Sequence, residues 1–204
     1  MLRLSAKAAA LGVVAYTPLI AASALPIWGR GWVVPGVDII SAFVGGCAVA
    51  FTIAALPLLL ARSYRSGAAA IVVFAGTLSV LFVITLWVAN DVRMYGFHLA
   101  AKRAEPLIMA IEKHVANKGT PPTTLEQLVP TYIAAIPSGL PPLEIQSGPD
   151  TRKRYHGNDW VLSASVPWGF LNFDLFLYFP NQRYPESAYG GSLERIDKWA
   201  YVHE

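Results

Sequence analysis

The chain has 204 residues and a mass of 22.1 kDa; 54% of the residues are hydrophobic, 14% are charged, and the mean hydropathy is +0.44. Soluble domains are about a quarter charged, so this composition excludes a wholly soluble protein, and the single cysteine excludes a disulfide scaffold. The net charge of +3 divides unevenly: residues 1–90 carry five basic side chains (Arg3, Lys7, Arg30, Arg62, Arg65) against Asp38, a local +4, whereas 91–204 carry eleven basic and twelve acidic ones, a local −1. Basic residues confined to the short links of an apolar half mark a membrane protein. A nucleic-acid binder would gather them on a folded surface, so no nucleic-acid partner is expected.

Three uncharged apolar runs follow one another, 8–27, 39–61 and 68–89, of 20, 23 and 22 residues. Each reaches the ~20 residues a helix needs to cross a ~30 Å hydrocarbon core, so residues 1–90 read as an α-helical membrane anchor of three transmembrane helices in a lipid bilayer. Pro18 and Pro57 fall inside the first two runs and predict kinks. Trp28, Trp32, Tyr64, Trp87 and Tyr95 cluster at the run ends, where amphipathic rings sit at headgroup level.

Arg3 and Lys7 precede the first run, and Arg62 with Arg65 fills the link between the second and third. The link between the first two runs is neutral, so the expected topology puts the N-terminus in the cytoplasm and the C-terminal part outside. The competing reading makes the first run a cleaved signal peptide ending near Ala22-Ser23-Ala24. The length of the run and the nearby Pro26 favour retention. Ala42, Gly46, Ala50 and Ala54 form a stripe of small residues along the second run, a helix-packing surface for a partner protein or for the other two spans of the same chain. Cys47, in the same run, reads as a buried apolar filler.

Beyond Asn90-Asp91, residues 91–204 read as one α+β extramembrane domain. Leu99, Leu107, Ile108, Ile111 and Val115 recur at helical spacing, so one long helix over 67–118 is expected, with breaks at Gly96 and Pro106 and a stop at Gly119. Thr123-Thr124-Leu125-Glu126 has the form of a capping box opening a short helix to Val129, and a second turn covers 132–136. Alternating apolar residues predict strands at 160–166, 173–179 and 199–203 with a weaker one at 143–147. The long helix then packs on a three- to four-stranded antiparallel sheet.

The run AIEKHVANKGTPPTTLEQLVPTYIAAIP, where a long helix stops at a glycine, a short capped helix follows and LVP-x-Y leads to a proline, resembles the segment after the long helix in type IV pilin-like and type II secretion pseudopilin-like domains. The resemblance covers about 91–204 and implies a periplasmic head on the bacterial inner (cytoplasmic) membrane. The processing glycine, phenylalanine and glutamate of pilin leaders are absent from the third span. The resemblance therefore implies a pilin-like head on a polytopic anchor, not a filament subunit. The calcium loop of some pseudopilins has no counterpart either, because Asp150, Asp159 and Asp174 are scattered.

No enzyme constellation is legible. His98, His114, His156 and His203 have no metal-ligand spacing, no G-x-S-x-G occurs, residues 91–204 have no cysteine, and Gly190-Gly191-Ser192 reads as a plain turn. No cofactor or metal is expected. Two surface features remain. Arg152-Lys153-Arg154 is a basic run able to meet anionic headgroups or an acidic partner, or else a solvated hairpin entry. Trp168, Phe170 and Leu171 place large apolar side chains in an apparent loop, a partner contact if exposed and core if tucked under the sheet. The expected function is a non-catalytic accessory, scaffold or assembly subunit of a membrane complex, whose partner is another membrane protein. The alternative is a sensor or ligand-binding domain signalling through the third span. The absence of charge within the spans argues against a transporter.

Overall fold

A computed structural model describes residues 1–33, 37–168 and 173–203, with the side chains of 37 and 38 left aside. Its elements are α1 (Leu2–Ala24), α2 (Val37–Ala55), α3 (Arg65–Lys118), β1 (Glu144–Ser147), α4 (Thr151–Arg154), β2 (Trp160–Ser165), β3 (Leu175–Tyr178), β4 (Ser187–Ala188), β5 (Gly191–Ile196) and β6 (Trp199–His203). Single 3₁₀ turns occupy Leu25–Trp28, Pro57–Leu60 and Leu125–Leu128. Three helical stretches, Leu2–Trp28, Ile39–Leu60 and Arg65–Lys118, are long and apolar enough to cross a membrane. The chain forms two compact units, one of Met1–Ala24 with Pro35–Val92 and one of Leu25–Val34 with Arg93–Glu204.

In the first unit small residues let helices approach. A Cβ on Gly45 would lie 2.3 Å from the Phe82 ring, and one on Gly12 would lie 2.8 Å from Leu81. Ser41 Oγ donates to Ala15 O at 3.2 Å, and Ala8, Ala48 and Leu78 form a small buried cluster. Pro57 does not kink a continuing helix. Lacking an amide proton, it ends α2 at Ala55 and opens a 3₁₀ turn at the position where proline's fixed φ costs least.

In the second unit the sheet has six strands in the order β1-β2-β3-β6-β5-β4, all antiparallel. The expected three or four strands are corrected by β4 and β5, whose Gly190-Gly191 start reads as a turn. Ser192, Glu194 and Arg195 give β5 too little apolar alternation to be legible. The period of two divides the strands between two cores. Trp160, Leu162, Ala164, Phe176, Tyr178, Trp199 and Tyr201 face α3, while Val161, Leu177, Phe179 and Val202 pack with Tyr155 in a separate cluster.

The helix stripe that meets the sheet is Phe97, Ala100, Ala104, Leu107 and Ile111; the expected Leu99 is half-buried outside it. α3 runs unbroken through both expected breaks. Pro106 is exposed, so the carbonyl it frees one turn earlier is open to water. Gly96 serves an approach: a Cβ there would lie 2.5 Å from Pro26 Cβ, so the bare backbone admits the 25–34 segment against the helix. The expected capping box does not form: Thr124 is the N-cap and its side chain caps no amide, while Thr123 pairs with Gln127, its N–H donating to Gln127 Oε1 at 3.1 Å and Gln127 Nε2 donating to Thr123 Oγ1 at 2.8 Å. Exposed Glu126 still feels its own backbone amide and the Thr124 hydroxyl, which hold its carboxyl below the usual range.

Candidate functional site

The most unusual chemistry of the second unit gathers around Arg93, at the start of its share of α3. Arg93 lies four residues before Phe97, on the face that meets the sheet, and is 1% exposed. Its Nη2 donates to Trp32 O at 3.2 Å and to Val166 O at 2.6 Å, joining the 25–34 segment to the end of the β2–β3 hairpin. The guanidinium carbon stands 5.1 Å from the Phe97 ring centroid and 4.6 Å from that of Trp168, distances at which the ring quadrupole attracts a cation. Tyr201 donates to Asp174, itself 1% exposed, inside the same region. Burial pushes the Tyr201 hydroxyl well above its ordinary range; the nearby Arg93 charge opposes the rise, and the hydrogen bond and charge of Asp174 add to it.

A second arginine secures the same segment. Arg103 Nη2 donates to Ile27 O at 2.5 Å, and Nη1 reaches Pro26 O at 3.4 Å and Gly139 O at 3.3 Å. Gly29 has φ +70°, and a Cβ there would lie 2.2 Å from Gly139 Cα, so two backbones touch where only glycine fits. The Trp32 ring completes the packing, 5.4 Å from Phe97 centroid to centroid.

Trp168, one of the expected contact residues, is half-buried with its ring over Arg93, so it is neither a free surface anchor nor a core residue under the sheet. Phe170 and Leu171 lie outside the described residues. The small-residue stripe is exposed at all four positions, Ala42, Gly46, Ala50 and Ala54, and nothing lies within 4 Å of a Cβ built on Gly46. The structure thus overturns the reading in which this stripe packs the chain's own spans. The neighbouring row, Ser41, Gly45, Ala48 and Ala55, is buried instead. Cys47 beside it is half-buried, not enclosed.

The basic run forms the short helix α4 within the connection between the antiparallel strands β1 and β2. Arg152, Lys153 and Arg154 are all exposed; Arg152 Nε pairs with Asp159 Oδ1 at 2.5 Å, and the Arg154 guanidinium lies 5.4 Å from the Tyr155 ring centroid. Arg152 lines an open cleft of about 520 Å³ with Asn158, Asp159 and Asn181. The histidines stand apart in separate contacts: His98 with Asp197 at 3.1 Å, His203 with Glu194 at 2.7 Å, His114 with Thr120 O at 3.1 Å, and His156 beside the Phe179 and Tyr189 rings. Among the described residues no three His, Cys, Asp or Glu side chains gather in a metal-binding group.

No family model, curated protein or solved structure matches this chain. The Arg93 cluster was the feature that spacing missed. Extending the buried stripe one turn back from Phe97 would have placed a cation on the core face, and that is the signal that finds it.

Proposed function

We propose that the chain is an integral membrane protein whose three apolar helices present a pilin-like head outside the cytoplasmic membrane, and that it works by contact, as an accessory or assembly subunit, without catalysis. The observation that carries this reading is that the link between the first two apolar helices is built into the same compact unit as residues 93–204, held by Arg93 and Arg103. Three crossings put that link and the C-terminal part on one side of a bilayer, while Arg3, Lys7, Arg62 and Arg65 stand together on the other, the side that basic residues favour. The partner is another membrane protein. The exposed stripe Ala42, Gly46, Ala50 and Ala54 offers a helix a close approach that the chain itself leaves unused.

The test is purification of the tagged full-length chain from membranes in gentle detergent, with subunits identified by mass spectrometry, beside a Gly46→Leu variant. A stoichiometric membrane protein that accompanies the wild type and is lost from the variant supports the reading. A chain that elutes alone as a single monodisperse species refutes the accessory role. Lys153→Cys should react with an impermeant maleimide on intact cells and Arg62→Cys only after permeabilisation; the reverse pattern overturns the topology.

A further inference from the structure

We infer that the head meets the bilayer through a surface of its own, in addition to the apolar helices. Its Arg93 end, with the connection between β2 and β3, sits in the headgroup layer, and the partner of this surface is lipid. The inference rests on the membrane reading above, and it gives a task to Trp168 and Phe173, which that reading leaves unused.

Position comes first. β2 starts at Trp160, which lines an open cleft with Val115, and it runs along α3 toward Arg93. Val166, the residue after β2, accepts from Arg93 Nη2 at 2.6 Å, and its own N–H donates to Asp174 O at 2.9 Å. The pairing of β2 with β3 therefore closes at the level of Arg93, and the connection leaves the sheet there. Trp168 holds its ring over the Arg93 guanidinium, and Phe173, next to the closing pair, is 69% exposed. Arg93 itself follows Ala89, the last residue of the third apolar run, by four residues. That is about 6 Å of helix, inside the headgroup layer that borders a ~30 Å hydrocarbon core. Exposed Asp91, two residues before Arg93, fits a hydrated headgroup layer and marks the limit of the hydrocarbon.

Composition and exposure agree with position. Residues 160–173 carry no charged side chain, whereas residues 148–159, between β1 and β2, carry five and gather at the other end of α3, around Gly119. Asp174, the acid next to the uncharged stretch, is buried with the Tyr201 hydroxyl and is not presented to a bilayer. Among the described residues of this unit three aromatic side chains are exposed, Trp28, Tyr95 and Phe173, and all lie at the Arg93 end. Tyr95 is two residues beyond Arg93, Trp28 is two beyond Pro26, which packs on Gly96, and Phe173 adjoins Asp174. Aromatic rings collected at one end of a folded unit, next to an apolar span, are the anchors of an interfacial contact. The span also fixes the occupant. Lipid surrounds the third apolar run where it leaves the bilayer, so a surface at that level is covered by headgroups unless a protein displaces them.

The test uses the full chain in nanodiscs, with Cys47→Ala as background and one new cysteine carrying an environment-sensitive fluorophore. Quenching is read from lipids that bear a nitroxide just below the headgroup. Trp87→Cys, exposed near the end of the third apolar run, reports on the membrane reading itself, and Lys153→Cys on α4 reports on water. Phe173→Cys and Ser165→Cys report on the inference; Ser165, exposed at the end of β2, leaves every ring of the connection in place. The expected result is lipid quenching at Phe173 and Ser165 comparable to that at Trp87, none at Lys153, and loss of the Ser165 signal when Phe173→Asp is added. Quenching at Trp87 with none at Phe173 and Ser165 overturns the inference and leaves the membrane reading standing. A blue-shifted Phe173 label that lipid does not quench overturns it as well, because a protein then covers this end. Equal quenching at Ser165 with and without Phe173→Asp overturns the assignment of Phe173 as an anchor. Absence of quenching at Trp87 refutes the membrane reading, and the lipid contact falls with it.

Discussion

Gly96→Ala sets two ordinary effects against each other, and the structure decides the sign. Alanine is a better helix former than glycine by about 1 kcal/mol, so on propensity alone the substitution within α3 should stabilise. The new Cβ would stand 2.5 Å from Pro26 Cβ, 3.1 Å from Pro26 C and 3.2 Å from Ile27 N. Carbon atoms prefer separations of about 3.5–4.0 Å, so the 25–34 segment has to retreat by about 1 Å. It cannot do so freely, because Arg103 holds the carbonyls of Pro26 and Ile27 and Gly29 is seated against Gly139. Overpacking of this kind costs about 1–3 kcal/mol, which exceeds the propensity gain.

The expected result is a net loss of about 1 kcal/mol, a fall of about 4 °C in the melting temperature of the head. It is read by near-ultraviolet circular dichroism of the full chain in detergent, where Phe176 and Trp199, stacked with centroids 4.4 Å apart, report on the sheet core. A double-mutant cycle isolates the cause. Pro26→Gly removes the atom in the closest clash, so Gly96→Ala placed on that background should recover about 1 kcal/mol of the loss. A melting temperature that rises in Gly96→Ala, or effects of the two substitutions that simply add, would refute the argument that Gly96 exists for this approach.

Arg103→Gln should cost about 2 kcal/mol by releasing carbonyls held by a charged donor, and trypsin should then cut the folded chain faster after exposed Arg30. One residue apart on α2, Gly45→Ala should destabilise the helical unit by about 1–3 kcal/mol through its clash with Phe82, while Gly46→Ala, whose Cβ meets nothing within 4 Å, should stabilise it by up to about 1 kcal/mol through helix propensity; equal effects in thermal unfolding in detergent would sink this assignment of faces. Titration at 295 nm should show Tyr201, Tyr184 and Tyr189 ionising late, Tyr189 near 12, all pushed up first by burial. Because their folded pKa values are raised, the protonated hydroxyls favour the folded state below pH ~10, and that contribution is lost as pH rises through the folded values. All nine tyrosines should titrate together near 10 once the chain is unfolded in guanidinium, and Tyr201→Phe should shrink the late step.

The parts legible in the sequence were those that rest on periodicity. The long helix was expected over 67–118 and spans Arg65–Lys118, because apolar length and a glycine stop mark a helix without reference to its neighbours. β2, β3 and β6 were legible for the same reason, each having an apolar inner face. β5 was not, since a strand bearing Ser192, Glu194 and Arg195, flanked on its outer side only by the two-residue β4, has little apolar alternation to reveal it. The sites fared worse. Spacing found the small-residue stripe of α2 but could not tell that the row beside it does the packing, because two rows one residue apart are nearly equal in size and hydropathy.

The 25–34 segment was illegible for a different reason. Its composition, apolar apart from Arg30 and rich in tryptophan and glycine, is that of a short link at a membrane interface, and nothing local says that it belongs to a fold completed sixty residues later. What commits it is the side chains that reach it from α3. Arg93 and Arg103 donate to backbone carbonyls, and a carbonyl has no residue identity for a sequence to display. Trp32, 7% exposed, then covers Phe97, so the link is a piece of the head's core and not a tether to it. A head made from residues 93–204 alone would leave the Phe97 face bare and the Arg93 guanidinium without the Trp32 carbonyl. The second unit is thereby completed only by ten residues that lie, in sequence, between the first two apolar helices.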